Sequence, residues 1–191
     1  MKKSGIITLL LFFVFPISAL AKRQIWKLKH GQVSVDLPTR WRAYQNKLGM
    51  DLILESPLRR TSSHSRKLAS AKNPSTLIFI QSLGENQDHE RTSKSFNAVL
   101  TDYEKNKRQQ IKVLKGKPLL FFKKTTSKWS NKVTAHTRGV RYVVGHQKVE
   151  EHTLWIECKK QLFHMKIVFP QLNSSPVDTV NKFTKTFSCS A

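Results

Sequence analysis

The stretch His152–Phe169 reads HTLWIECKKQLFHMKIVF. Leu154, Ile156 and Cys158 alternate onto one face. Phe163, Met165, Ile167 and Phe169 alternate in the same way beyond Lys159-Lys160, so the segment reads as an antiparallel hairpin. A two-residue turn sets Ile156 opposite Phe163 and Leu154 opposite Met165, and both strands then bury the same face. Lys-Lys lacks the Gly or Asn that such a turn favours, and a longer loop would shift this register. Alternation also puts Cys158 and His164 on opposite faces, which argues against a reactive Cys–His pair.

Cys158 is one of only two cysteines; the other is Cys189. The compartment follows from the other end of the chain. MKKSGIITLLLFFVFPISALA has a charged start at Lys2 and Lys3, an apolar run from Ile6 to Phe15, and Ala19-Leu20-Ala21 as a small-residue cleavage site. The apolar run is too short for a spanning helix, and no cysteine follows it to carry a lipid. Residues 1–21 are therefore expected to be a cleaved signal peptide, giving a periplasmic or secreted protein that begins at Lys22. In that setting a Cys158–Cys189 disulfide is expected.

The remaining 22–191 is long enough for one domain with a hydrophobic core. Two of the 34 Lys and Arg residues lie in 1–21, so 32 face 12 acids and the net charge is +20. Such a charge bears on partners and solubility rather than on fold. Nucleic acid, anionic lipid headgroups, lipopolysaccharide, teichoic acids and acidic proteins are the candidates. The plain alternative is general basicity with no convergence on one face.

Along the chain, Gln24–Lys29 and Gln32–Leu37 form a first hairpin around His30-Gly31, stopped by Pro38. Met50–Glu55 and Ser75–Leu83 read as further strands. Between them, Pro57–Ser75 contains Arg59, Arg60, Arg66, Lys67 and Lys72 without acids or aromatics. That composition predicts a long basic loop, a candidate polyanion-grasping arm or a tolerated insertion. It has no stacking platform for single-stranded nucleic acid.

A helix is predicted from Thr92 or Ser93, with Phe96, Val99, Leu100, Tyr103, Ile111 and Leu114 as its core stripe. Lys105, Arg108, Lys112 and Lys115 make a second, basic stripe, and Gly116 is expected to close the helix. Pro118–Lys124 is a strand, and Thr125–Asn131 is a loop presenting Trp129 among Lys123, Lys124, Lys128 and Lys132. This tryptophan would either anchor a partner or fold back over the sheet edge. Lys132–Val144 is a long strand with a bulge at Gly139, turning at Gly145-His146. Ser174-Ser175-Pro176 caps a closing helix with Val177, Val180, Phe183 and Phe187 buried, which carries Cys189 back to Cys158.

Chemistry is thinly signalled. The histidines are His30, His64, His89, His136, His146, His152 and His164, with no HExxH among them. Two cysteines do not build a structural zinc site. There is no G-x-S-x-G, no phosphate-cradling glycine loop and no carboxylate pair in a setting that raises a pKa. The reading is a non-catalytic binding module without cofactor or metal, acting through the 57–75 loop, the 105–115 stripe and Lys128-Trp129. Two alternatives stay open. One is an enzyme on a polyanionic substrate, with His136, His146 and His152 as its candidates. The other is a sequence-independent nucleic-acid binder.

The layout carries one further hint. VSVDLPTRW after the first strand pair, a strand ending in Ser-Pro, FNAVLTDYEKNK, long antiparallel strands and TVNKFTKTF resemble the PsbP-like family over about Gln24–Cys189. That family includes the extrinsic photosystem protein, a nuclear-import factor and bacterial envelope proteins. The resemblance implies an α+β single domain. Its central antiparallel sheet would have helices on both faces, in three α/β/α layers, used for binding. It supplies no catalytic set, and the 57–75 loop and the cysteine pair are not features it leads one to expect.

Overall fold

The computed structural model describes residues 22–56, 76–85, 101–130, 133–159, 161–170 and 183–190. In chain order they form β1 (Lys22–Leu28), β2 (Gly31–Leu37), β3 (Arg42–Lys47), β4 (Met50–Glu55) and β5 (Leu77–Glu85). Helix α1 (Tyr103–Val113) follows, then β6 (Gly116–Ser130), β7 (Val133–Val144), β8 (Gln147–Cys158), β9 (Gln161–Pro170) and β10 (Ser188–Ser190). All strand pairs are antiparallel. A seven-stranded sheet has the order β3-β4-β5-β9-β8-β7-β6, and a three-stranded sheet the order β1-β2-β10.

The β8–β9 hairpin is the axis of the large sheet. Ile156 faces Phe163, Leu154 faces Met165 and Cys158 faces Gln161, the register of a two-residue turn. Lys159 enters that turn at φ +55°, so a lysine occupies the left-handed region that a glycine would hold at less cost. Alternation then divides the residues cleanly. Leu154, Ile156, Phe163, Met165 and Ile167 join Leu52, Leu54, Ile78 and Ile80 on one face, all at or near zero exposure. Trp26, Val33, Val35 and Leu37 of the small sheet, with Phe183 and Phe187, close over that face to make the main core. His164 and Trp155 pair across the ladder on the opposite face, away from Cys158.

The three-layer α/β/α expectation is therefore corrected. Strand makes up 72% of the described residues, and α1 is the one substantial helix among them. One face of the large sheet is covered by another sheet, and α1 lies on the other face. There Tyr103 packs with Trp155 and Leu162, and Ile111 with Val140 and Tyr142. The helices-on-both-faces arrangement implied by the PsbP-like resemblance is overturned with it. The reason is physical. The Val33/Val35/Leu37 alternation needs an apolar partner layer, and a strand pair satisfies that need as well as a helix does.

Several local expectations also change. β3, RAYQNK, has no apolar alternation, and all its residues except Tyr44 are exposed. It is held instead by pairing with β4 through the tight Leu48-Gly49 turn, at φ +55° and +73°. The predicted loop Thr125–Asn131 is mostly strand, since β6 runs unbroken to Ser130. The irregularity near Gly139 lies in β6, between Phe122 and Thr125, whereas β7 stays in register with β8.

Gly116 does not close α1. Lys115 takes the left-handed position at φ +54°, its N–H donating to the Lys112 carbonyl. Gly116 begins β6, where a Cβ would sit 2.7 Å from the Val143 carbonyl oxygen. Leu114, expected in the core stripe, is 54% exposed. Of the closing helix, only a turn over 183–186 is described, and Cys189 reaches Cys158 from strand β10, where it lies opposite Val33. The Cys158–Cys189 disulfide consequently joins the two sheets, with Cα atoms 6.1 Å apart. The 57–75 loop, Phe96, Val99 and Leu100, and Ser174 to Val180 lie outside the described residues.

Candidate functional site

Charge is distributed unevenly along this chain. Residues 105–149 contain 13 Lys and Arg and no Asp or Glu. They comprise most of α1, all of β6 and β7, and the start of β8. The acids that could answer them sit next along β8, as Glu150, Glu151 and Glu157, and each is turned to an internal task.

Glu151 is buried under α1. Lys107, on the inner face of the helix with Tyr103 and Ile111, forms an ion pair with Glu151 Oε1 and donates to Gln110 Oε1 at 2.9 Å. Lys166 Nζ lies 3.7 Å from Glu151 Oε2, and the Thr153 hydroxyl donates to Oε1 at 3.4 Å. Burial pushes the Lys107 ammonium below the ordinary lysine range, opposed by the adjacent carboxylate. Burial, with Glu151 beside it, pushes the Tyr142 hydroxyl up to about 12. Tyr103 is raised further, chiefly by burial. His164, half-buried against the Trp155 ring at 5.7 Å, is held below the usual histidine range by burial and by Lys166. This cluster secures α1 to the sheet, because the Lys107–Glu151 pair joins the helix to β8 and is covered by the helix.

Glu150, buried on the other face, accepts from Arg141 Nε at 2.6 Å and pairs with His152 Nε2 at 2.7 Å. The His152 ring is stacked on Phe122 at 5.5 Å and meets Phe169 edge-on at 6.0 Å, while Arg141 lies over Phe122. A Cβ at residue 139 would fall 2.7 Å from the Phe122 ring, so glycine there lets the ring lie flat. Glu157 pairs with His136 at 3.3 Å, and the other His136 ring nitrogen is 3.0 Å from the Thr126 hydroxyl.

Of the basic residues, Lys107, Arg138 and Arg141 have carboxylates to answer them, Arg138 through Glu104 at 3.9 Å. The exposed basic side chains are Lys105, Arg108, Lys112 and Lys115 on and just after α1, Lys117, Lys123, Lys124 and Lys128 on β6, and Lys148 on β8. Helix α1 packs on β6 and β7, and β6 is the last strand of the large sheet. The predicted helix stripe and Lys128 therefore both lie at the basic β6 end of the strand order, with Lys128 eleven residues along the strand from Lys117. Arg108 is partly engaged there, 4.5 Å over the Phe121 ring.

Trp129 lies on strand β6 rather than in a loop. It is half-buried against the main core, edge-on to Phe187 at 5.5 Å, and its indole N–H donates to Ser127 Oγ at 3.1 Å. Arg59, Arg60, Arg66 and Lys67 lie outside the described residues. His136, His146 and His152 are not brought together. His136 is opposite Trp155, His152 opposite Gly139 three positions away on the other face, and His146 is in the exposed β7–β8 turn. Among the described residues no three of His, Cys, Asp and Glu gather as metal ligands. The feature that composition alone missed is the acid-free run itself, which is visible in the sequence once acids rather than bases are mapped.

No family model matches the chain, and no curated protein matches it. Among solved structures, a crystal structure of a protein from Bacteroides thetaiotaomicron VPI-5482 is similar with a TM-score of 0.47 at 9% identity. The match covers 83% of this chain and 45% of that one, so the chain spans less than half the length of the structure it resembles.

Proposed function

We propose that this chain is an exported, non-catalytic binding module that holds an anionic envelope component or an acidic protein through the basic end formed by α1 and β6. The observation that carries this reading is the run 105–149, with 13 basic residues and no acid, folded into neighbouring elements. Every carboxylate adjoining it on β8 faces an internal partner. A surface rich in bases, whose one acid within α1, Glu104, is answered by Arg138, attracts polyanions and raises their rate of encounter. Support for export is the leader-like 1–21 together with the inter-sheet disulfide.

The test is retention on an immobilised polyanion and on envelope extract across a salt series. Lys105, Arg108 and Lys112 are changed to Gln in one variant, and Lys22, Lys27 and Lys29 of the small-sheet end in another. The α1 variant should lose affinity by about tenfold or more, and the salt slope should fall by about one per phosphate-like contact removed. Equal losses in both variants would mean that net charge alone is responsible, and the localised-surface reading would fail. Binding to nucleic acid of any sequence with the same α1 dependence would favour the nucleic-acid alternative.

A further inference from the structure

Most large apolar side chains among the described residues are buried, and seven are exposed. Four of the seven gather at one place. Val113 and Leu114, at the end of α1, are 77% and 54% exposed, and Leu119 and Leu120, early in β6, are 51% and 47% exposed. The chain reverses between them at Lys115, so Leu120 lies no more than about 17 Å along the strand from that reversal. Leu120 is opposite Arg141 on one face of the sheet, and Leu119 sits at a register shift between Pro118 and Leu120. Helix α1 covers the opposite face. The four exposed side chains consequently flank the α1–β6 reversal at the corner where the helix meets the edge strand β6.

Lysines form a collar around this corner. Lys112, Lys115 and Lys117 are interspersed with the four apolar residues in sequence, and Arg108 is one helical turn behind Lys112. His146 and Lys148 are exposed at the adjoining β7–β8 turn, which the pairing of Gly116 with Val144 brings alongside. No acid lies between residues 105 and 149 to interrupt the collar.

A soluble polyanion would engage the lysines and leave the leucines in water. A partner with an anionic surface and an apolar layer a few ångströms beneath it engages both. We propose that the α1–β6 corner is a peripheral docking surface for an anionic lipid bilayer. Val113, Leu114, Leu119 and Leu120 enter the headgroup–acyl boundary, while Lys112, Lys115 and Lys117 neutralise the headgroups. This rests on the reading of the basic end as an anion-binding surface and names the partner class of that surface.

The experiment uses the protein recovered after export, its N-terminus established by mass spectrometry. Co-sedimentation is measured with vesicles of phosphatidylcholine alone and of phosphatidylcholine with phosphatidylglycerol. Wild type should bind only the mixed vesicles. Leu119→Ser with Leu120→Ser should weaken binding by about tenfold, since each leucine loses roughly half of its apolar transfer, without changing retention on soluble polyphosphate. Val113→Ser with Leu114→Ser provides a second, independent pair should the first disturb the sheet edge, and circular dichroism checks folding in both. Lys112→Gln, Lys115→Asn and Lys117→Gln together should abolish binding to the mixed vesicles and weaken polyphosphate retention. If both serine pairs, folded, bind vesicles like wild type while the lysine variant does not, the bilayer proposal is overturned and the anion-binding reading survives. If an acidic protein competes for the corner while vesicles never bind, the bilayer proposal is likewise overturned. Failure to bind vesicles and polyphosphate alike would remove both.

Discussion

Replacing Lys107 by Met would test whether the buried ion pair is what holds α1 on the sheet. Both partners are removed from water, with side-chain exposures of 8% for Lys107 and 4% for Glu151. At hydrogen-bonding contact, two unit charges attract by about 5 kcal/mol at an effective dielectric of 20. Desolvating each ion costs several kcal/mol, so the intact pair adds little net stability. Removing one partner is different, because Glu151 keeps its burial and loses its nearest cation. Breaking such a pair costs roughly 3–5 kcal/mol. Lys166, 3.7 Å away and 36% exposed, compensates in part, which places the expected loss near the low end, about 3 kcal/mol. The assay is urea unfolding with the midpoint and m-value fitted together. Glu151→Gln and the double variant complete the cycle, with an expected coupling of about 2 kcal/mol or more. Lys166→Met, at an exposed partner, should cost about 1 kcal/mol or less. A Lys107→Met loss below about 0.5 kcal/mol, as for exposed pairs, or additive single variants, would refute the idea that this pair anchors the helix.

Two further outcomes follow from the fold. Reduction of Cys158–Cys189, or Cys189→Ser, should lower stability by roughly 3–4 kcal/mol, as expected for opening a loop of 31 residues between two sheets; calorimetry of oxidised and reduced protein measures it, and equal stabilities would show that the sheets do not need the staple. Burial makes His164 bind its proton less readily in the folded protein than an ordinary histidine, whose pKa is 6.5, so the unfolded chain takes up more protons below that pH and stability falls with acidity from there downward. Unfolding midpoints at about pH 7.5 and about pH 5.5, straddling that value, should therefore differ more in wild type than in His164→Gln; parallel pH profiles would exclude His164 as the source.

How much of this was legible in the sequence varies by element. The β8–β9 hairpin declared its faces, because a period of two puts Ile156, Phe163 and Met165 on one side, while the register depended on the turn length and is that of two residues. Trp129 was misleading: surrounded by lysines it reads as a loop residue, but β6 continues through it by pairing with β7, and Phe187, remote in sequence, supplies its contact. Lys107 was hidden for a related reason. Nothing local separates it from Lys105 and Arg108, and only the approach of Glu151 on β8 makes a buried lysine tolerable.

The sequence by itself determined the antiparallel hairpins, the pairing of the two cysteines, the surplus of basic residues and the absence of acids from 105 to 149, since each depends on residue identity at short range or on composition. The tertiary structure decided what covers the large sheet, which lysine is spent inside the protein, where Trp129 points and which leucines remain at the surface. Those outcomes depend on which strands become neighbours. A lysine or leucine has the same intrinsic chemistry everywhere, and only its neighbours decide whether water or another side chain satisfies it.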